Sequence, residues 1–229
     1  MKKTPIISLD QISKSYLEGN ISHLVLDSIS AEFQEGECVA LLGRSGSGKS
    51  TVLNLISGID KPDSGSILIQ EKDITRLTER ERTLFRRSHI GFIYQFFNLI
   101  PTLTVLENVM LPMELNKQKD VSLARSLLDE VSLLDRQGEY PDRLSGGEQQ
   151  RVAIIRALVH DPLIILADEP TGNIDQETGN QVITIMERLI RKRNKTMIIV
   201  THSQEIASFA DRHLLLENGI LKPQNTPVV

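Results

Sequence analysis

The eight residues Gly43-Arg44-Ser45-Gly46-Ser47-Gly48-Lys49-Ser50 stand between an apolar run, Cys38-Val39-Ala40-Leu41-Leu42, and a helical pattern from Lys49 to Ile56. No other stretch constrains the fold so tightly. A buried strand that turns through glycines into a helix leaves backbone N–H groups without carbonyl partners, and those groups can close around an anion at the positive end of the helix. The spacing G-x-x-x-x-G-K-[ST] is that of a phosphate-binding loop. Within it the backbone from Gly43 through Thr51 cradles the phosphates, Lys49 reaches the β and γ groups, and the Ser50 hydroxyl faces Mg²⁺.

The sequence around this loop supplies a sheet to carry it. Leu163-Ile164-Ile165-Leu166-Ala167 and Met197-Ile198-Ile199-Val200 are short, apolar and bounded by breakers, as expected of strands buried on both faces of a parallel sheet. Helical periodicity over Leu123 to Leu134, Glu148 to Val159 and Glu177 to Arg191 predicts an α/β fold. Residues 6–36 and 64–74 read as short strands with glycine punctuation, which points to an antiparallel subsheet. From about 95 to 160 the pattern is helical without a strand, which points to an inserted subdomain. The expected organisation is one domain over 1–229, with a core of 1–94 and 161–229 and a helical subdomain of 95–160. Asn218-Gly219 between apolar runs predicts a hairpin close to the C-terminus.

Composition narrows the functional classes. Apolar residues at 40% and charged residues at 24% are ordinary globular values. The single cysteine, Cys38, allows no internal disulfide, which fits a cytosolic chain. After Met1-Lys2-Lys3 there is no continuous apolar stretch of the signal-peptide kind. The longest apolar runs fall far short of the ~20 residues that cross a bilayer, so a membrane role would come through a partner. A net charge of -4 argues against nucleic acid as a partner. The basic clusters, Arg80 to Arg87 and Arg188 to Lys195, read as solvated helix faces.

Two further elements carry chemistry. The run Leu163 to Ala167 ends at Asp168-Glu169. An acid at the end of such a strand can hold Mg²⁺, and the next carboxylate can orient an attacking water. In Leu144-Ser145-Gly146-Gly147-Glu148-Gln149-Gln150-Arg151, Ser145 caps a helix whose first amides are exposed by Gly146 and Gly147, which makes a second anion site. One chain with two phosphate-binding helix ends needs an explanation.

Those last eight residues resemble the signature sequence of the ABC (ATP-binding cassette) ATPases. The family implies a P-loop NTPase fold with a RecA-like parallel sheet core, an antiparallel β subdomain and an inserted helical subdomain. It also explains the second anion site: two subunits pack head to tail, and Ser145, Gly146 and Gly147 of one complete the site that holds ATP on the other's phosphate loop. Tyr16, in Lys14-Ser15-Tyr16, resembles the aromatic that stacks on adenine. Gln95, in Gly91-Phe92-Ile93-Tyr94-Gln95, resembles the glutamine that reaches Mg²⁺ and the attacking water. Glu169 matches the general base, Asp175 the loop that crosses the dimer seam, and His202 the switch histidine near the γ phosphate. The resemblance thus implies Lys49, Gln95, Glu169 and His202 in catalysis and Ser50, Gln95 and Asp168 around the metal, and it spans residues 6–221.

Gly91 through Thr104, Leu144 through Arg151 with Glu148, and Ala167 through Asn173 are together similar to the lipoprotein-release and macrolide-efflux branch (LolD- and MacB-like). The branch implies an ATP-hydrolysing subunit that dimerises around two ATP and sits at the cytoplasmic face of the inner membrane. It would be held there by an integral-membrane permease. Phe96-Phe97-Asn98-Leu99-Ile100-Pro101 is apolar for a connection between subdomains and is expected to help form the groove for a permease helix. A related alternative is the ATPase of a nontransporting mechanotransmission complex that regulates cell-wall hydrolases. Chromosome-maintenance ATPases share both motifs, but they need a long coiled-coil insertion that the interval from Lys49 to Ser145 does not hold.

Overall fold

The apolar alternation near the N-terminus becomes a sheet built from longer strands than the sequence indicates. In the computed structural model, which describes residues 4–224, β1 (Ile7–Glu18) pairs antiparallel with β2 (Ile21–Phe33). The register slips between Leu9 and Ile12, where Gln11 adopts a φ of 50°, and Ser28 on the facing strand has a φ of 51°. Such bulges add a residue to one strand and re-aim the side chains that follow, so Ile12 returns to the buried face beside Ile7 and Leu9. They also break the period of two, which is why the sequence reads as shorter pieces.

Next come β3 (Cys38–Leu42), α1 (Lys49–Ile56), β4 (Ser64–Ile69), β5 (Lys72–Asp73) and α2 (Glu79–His89). The antiparallel sheet has the order β2-β1-β4-β5. All five residues of β3 are buried. Its Val and Leu side chains stabilise the fold by about 1.5–3 kcal/mol each. The chain packs as two compact units, one formed by residues up to 86 and from 196 onward, the other by residues 87–195.

The second unit holds β6 (Ile90–Ile93), α3 (Val105–Leu115), α4 (Val121–Glu130), α5 (Gly146–Leu158), β7 (Ile164–Asp168) and α6 (Gln176–Lys192). β6 and β7 pair in parallel, Ile90 opposite Ile164. α5 forms the middle of this unit, with Val152, Ala153, Ile154, Ile155 and Ala157 all buried, as expected of a helix packed on most of its sides. α4 stops earlier than the expected Leu134. Asp120 caps its start, Ser132 turns left-handed at φ 58°, and a short 3-10 turn, Leu134–Arg136, follows. The segment after β6 is pinned at its far end by buried Asn108, whose Nδ2 donates to the carbonyls of Ile100, Leu103 and Thr104 and whose Oδ1 accepts from the Ile100 amide.

The chain then returns to the first unit with β8 (Thr196–Val200), α7 (Gln204–Ser208), β9 (Arg212–Glu217) and β10 (Ile220–Gln224). There β3 lies between β8 and β9, parallel to both, with Cys38 opposite Met197. β10 pairs antiparallel with β9 around Asn218-Gly219, both at positive φ, as the sequence predicts for a two-residue hairpin turn.

Candidate active site

In the first unit the glycine-rich loop runs from the end of β3 into α1. Gly48, the residue before α1, has a φ of 101°, and a Cβ there would stand 2.7 Å from Val25 Cγ1, so only glycine fits. No side chain caps α1, and its first amides are left to a ligand or water. Lys49 is buried, and its Nζ donates to the carbonyls of Gly43 at 2.9 Å and Arg44 at 2.8 Å. The ammonium is thereby held over the loop. Ser47 Oγ is buried without a hydrogen-bond partner, a polar atom that an incoming phosphate oxygen would satisfy. A cavity of about 790 Å³ opens beside the loop, and Val25, Gly43, Ser45, Ser47 and His202 are among the residues that line it. His202 follows β8 and is exposed. Ser50 and Thr51 sit in the first turn of α1, where Ser50 is exposed. Tyr16, on β1, is 39% exposed and donates its hydroxyl to Asp60 Oδ2 at 2.9 Å. Burial, and then the neighbouring Asp60 carboxylate, push the phenol above its ordinary pKa, so it is the neutral hydroxyl that donates.

In the second unit Asp168 ends β7 and Glu169 follows directly at φ 45°. Left-handed backbone at a non-glycine residue is costly and tends to collect at functional sites. The turn closes through a hydrogen bond from the Gly172 amide to Glu169 O at 3.0 Å. Gln150, on α5 and fully buried, donates to Pro170 O at 2.5 Å, which ties this turn to the signature helix. Asn173 Nδ2 donates to Gln95 O at 2.8 Å, and the Gln95 side chain lies against Gly172. Gln95 and the residues 169–173 are therefore gathered.

Ser145 and Asp175 are both helix caps. Ser145 accepts from the Glu148 amide while Glu148 Oε2 accepts from the Ser145 amide at 2.7 Å, a capping box at the start of α5. That bond holds the Glu148 carboxyl below its ordinary pKa, with Arg136 and Arg151 adding to it. Asp175 accepts from the Thr178 amide at 3.0 Å and caps α6, which lowers its pKa in the same way. Gly147 packs so closely on Thr178 that a Cβ would collide with the Thr178 methyl.

Several residues of these arrangements have no individual structural role assigned from sequence. Glu148 stands in an S-x-x-E pattern that signals a capping box. Gln150 and Asn173 stand in marked stretches but bond to backbone carbonyls distant in sequence, and Asp60 lies in a turn 44 positions from Tyr16, so no local pattern predicts these bonds.

Comparison with known proteins bears directly on this geometry. Residues 26–172 match the family model described as ABC transporter. An uncharacterised ABC transporter ATP-binding protein of Mycobacterium tuberculosis is 54% identical over 226 residues, covering 97% of this chain and 91% of its own. The lipoprotein-releasing system ATP-binding protein LolD of Coxiella burnetii is 44% identical, covering 98% of each chain. Among solved structures, a dimeric post-hydrolysis state of the ATP-binding cassette MJ0796, bound to ADP and Pi, superposes with a TM-score of 0.87 at 38% identity, over 95% of this chain and 97% of that one. With an uncapped glycine-rich loop before α1, an acid pair at the end of β7 and a capped signature helix in one chain, and with these relatives along nearly its whole length, the chain belongs to the ABC transporter family as one of its ATP-hydrolysing, ATP-binding proteins.

Proposed function

We propose that two copies of this chain close around two ATP molecules and, by closing and reopening, drive a separate integral-membrane permease of the lipoprotein-release kind. The observation that carries this reading is the presence of two glycine-flanked helix starts in one chain, α1 open and α5 beginning with the half-exposed Gly146 and the buried Gly147. A single nucleotide needs only the first. The second finds its use when it faces the nucleotide held by another copy, and the dimeric form of the similar cassette supports this.

In this reading Gly43 through Thr51 wrap the phosphates, with Lys49 exchanging its loop carbonyls for phosphate oxygens. Tyr16 stacks on adenine. Glu169 orients the water for an in-line displacement, His202 contacts the γ phosphate, and Gln95 reports its presence to the helical segment 95–160. Ser145, Gly146 and Gly147 of the second copy close the site, with Asp175 at the seam. The hydroxyl of Ser50, the amide oxygen of Gln95 and the carboxylate of Asp168 are the hard oxygen donors that suit Mg²⁺. When bound, the ion neutralises charge developing on the phosphates. Catalysis by the chain's own groups is mostly positioning.

Glu169→Gln tests the composite site. It should lower turnover by about 10²- to 10⁴-fold and, with ATP present, shift the protein to a dimer on size exclusion. A variant that stays monomeric while still binding ATP counts against the arrangement.

Among the described residues no helix is long and apolar enough to cross a membrane, so attachment to the cytoplasmic face of the inner membrane would come through the permease. The contact is best sought at Phe96, which is 68% exposed. The backbone just after Phe96 is held by Arg156, whose guanidinium donates to Phe97 O and Asn98 O at 2.7 and 2.5 Å. Phe96→Asp should release the subunit from membranes that contain its permease and leave ATP affinity as it was. Retention on those membranes would remove Phe96 from the contact.

A further inference from the structure

The ring of Tyr16 is held on two sides. Its hydroxyl is bound to Asp60 Oδ2, while Oδ1 of the same carboxylate accepts from Lys14 Nζ at 2.9 Å and from the Lys61 amide at 2.7 Å. Lys14 Nζ also donates to Lys61 O at 2.8 Å and stands over the Tyr16 ring, 5.1 Å from its centroid. Lys14 is buried to 9% exposure, so this ammonium is no wandering surface group. On the intervening residue, the Ser15 amide donates to Asp63 Oδ2 at 2.6 Å, and the Asp63 amide donates to Ser13 O at 2.9 Å. The turn 60–63 is thereby stitched to β1 around Tyr16.

A tyrosine on a strand would ordinarily choose among rotamers, and freezing a side chain on binding costs a factor of about three to ten in affinity. Here the ordering precedes the ligand. The hydroxyl is tied by a charge-assisted bond, the Lys14 ammonium stands over the ring, and the residue keeps 39% exposure through which a flat aromatic ligand could reach it.

We propose that Asp60, acting with Lys14, is a positioning residue that presets the Tyr16 ring for the adenine base and so gives the site its preference for a nucleotide over a bare phosphate chain. This rests on the reading of Tyr16 as the adenine platform. Asp60 lies in the turn after α1, outside the phosphate-binding loop, and although the Tyr16 hydroxyl also meets the Thr51 side chain, substitution of Asp60 leaves that contact in place, so its effect should fall on the base.

The experiment titrates the full chain with Mg·ATP and with Mg·tripolyphosphate, which has no base, by calorimetry. Asp60→Ala should raise the Kd for ATP about three- to tenfold and leave that for tripolyphosphate unchanged. Tyr16→Phe, which removes only the hydroxyl, should act in the same direction. The double variant should lose less than the sum of the two single losses, because both changes cut the Tyr16–Asp60 link, while Tyr16→Phe also cuts the contact with Thr51. Asp60→Asn, which keeps an acceptor for the hydroxyl, should recover most of the loss. Should Asp60→Ala not fold, Tyr16→Phe and Asp60→Asn still decide the matter. Unchanged ATP affinity, equal weakening toward both ligands, or full additivity overturns the proposal. Tyr16→Ala separates the two possible failures. If it leaves the ratio of ATP to tripolyphosphate affinity as in the natural chain, the platform reading itself is wrong; if it lowers that ratio while Asp60→Ala does not, only the positioning role falls.

Discussion

The starts of α1 and α5 are both built on glycines, yet they are prepared in opposite ways. α1 has no side-chain cap, and a buried lysine waits beside it, bonded only to loop carbonyls. α5 is closed by a capping box, so Ser145 and Glu148 already satisfy each other's amides, and a carboxylate sits in the first turn. The first end is built to take an anion unaided, because its donors lack partners and its cation is desolvated. The second is stable without one and places a negative charge close to where a phosphate would come. On the proposed function, that difference implies an order of events: nucleotide is captured at α1, and α5 is recruited only when geometry brings it against a phosphate already neutralised elsewhere.

The strongest way to break the comparison is to remove the cation at α1. Lys49→Ala should weaken ATP binding about 10- to 100-fold, the cost of losing a charged hydrogen-bonding group, as read by fluorescent nucleotide titration. A smaller change would mean that the uncapped amides alone hold the phosphates. Next in size is Gly147→Ala at α5, where the new methyl meets the Thr178 methyl. Overpacking of this kind costs about 1–3 kcal/mol, visible in urea denaturation. Thr178→Ser deletes the opposing methyl and should restore most of the loss. If it does not, Gly147 is constrained by something other than this contact.

How far the sequence reveals these two ends depends on how local their chemistry is. The loop before α1 is spelled out in eight consecutive residues, and β3, β7 and β8 stand out because they are apolar on both faces. Asn218-Gly219 identifies the β9–β10 turn for the same reason. The capping box of α5 is also local, and S-x-x-E marks it, although only Ser145 was read as a cap. β1 and β2 are harder, since the bulges at Gln11 and Ser28 interrupt the alternation that betrays a strand. β6 is four residues long and contains a glycine, too short for periodicity to emerge. The bonds of Asp60, Gln150 and Arg156 could not be read at all: each acts on a group brought near by the fold, and although Gln150 lies in the signature stretch, nothing local says what it bonds.

The finest test of the comparison uses Glu148. Glu148→Gln keeps a side chain that can still bond the Ser145 amide, and it removes the negative charge from the first turn of α5. Two consequences oppose each other. A carboxylate at a helix start is favourable by about 0.3–1 kcal/mol, so the isolated subunit should lose a few tenths of that scale in denaturant unfolding. Arg136 and Arg151 stand close enough to Glu148 to offset part of its charge, which keeps both effects small. Repulsion between Glu148 and the phosphates of a nucleotide on the second copy would disappear at the same time, and ATP-dependent dimerisation should tighten by about two- to fivefold. The gain should shrink as salt is raised from 50 to about 500 mM, because screening removes the repulsion in the natural chain as well. Sedimentation of both variants in the Glu169→Gln background, where ATP is held, reads the dimer constant directly. If the dimer is unchanged or weaker at low salt, Glu148 does not face a phosphate, and the signature end meets the nucleotide through Ser145 and the glycine amides alone.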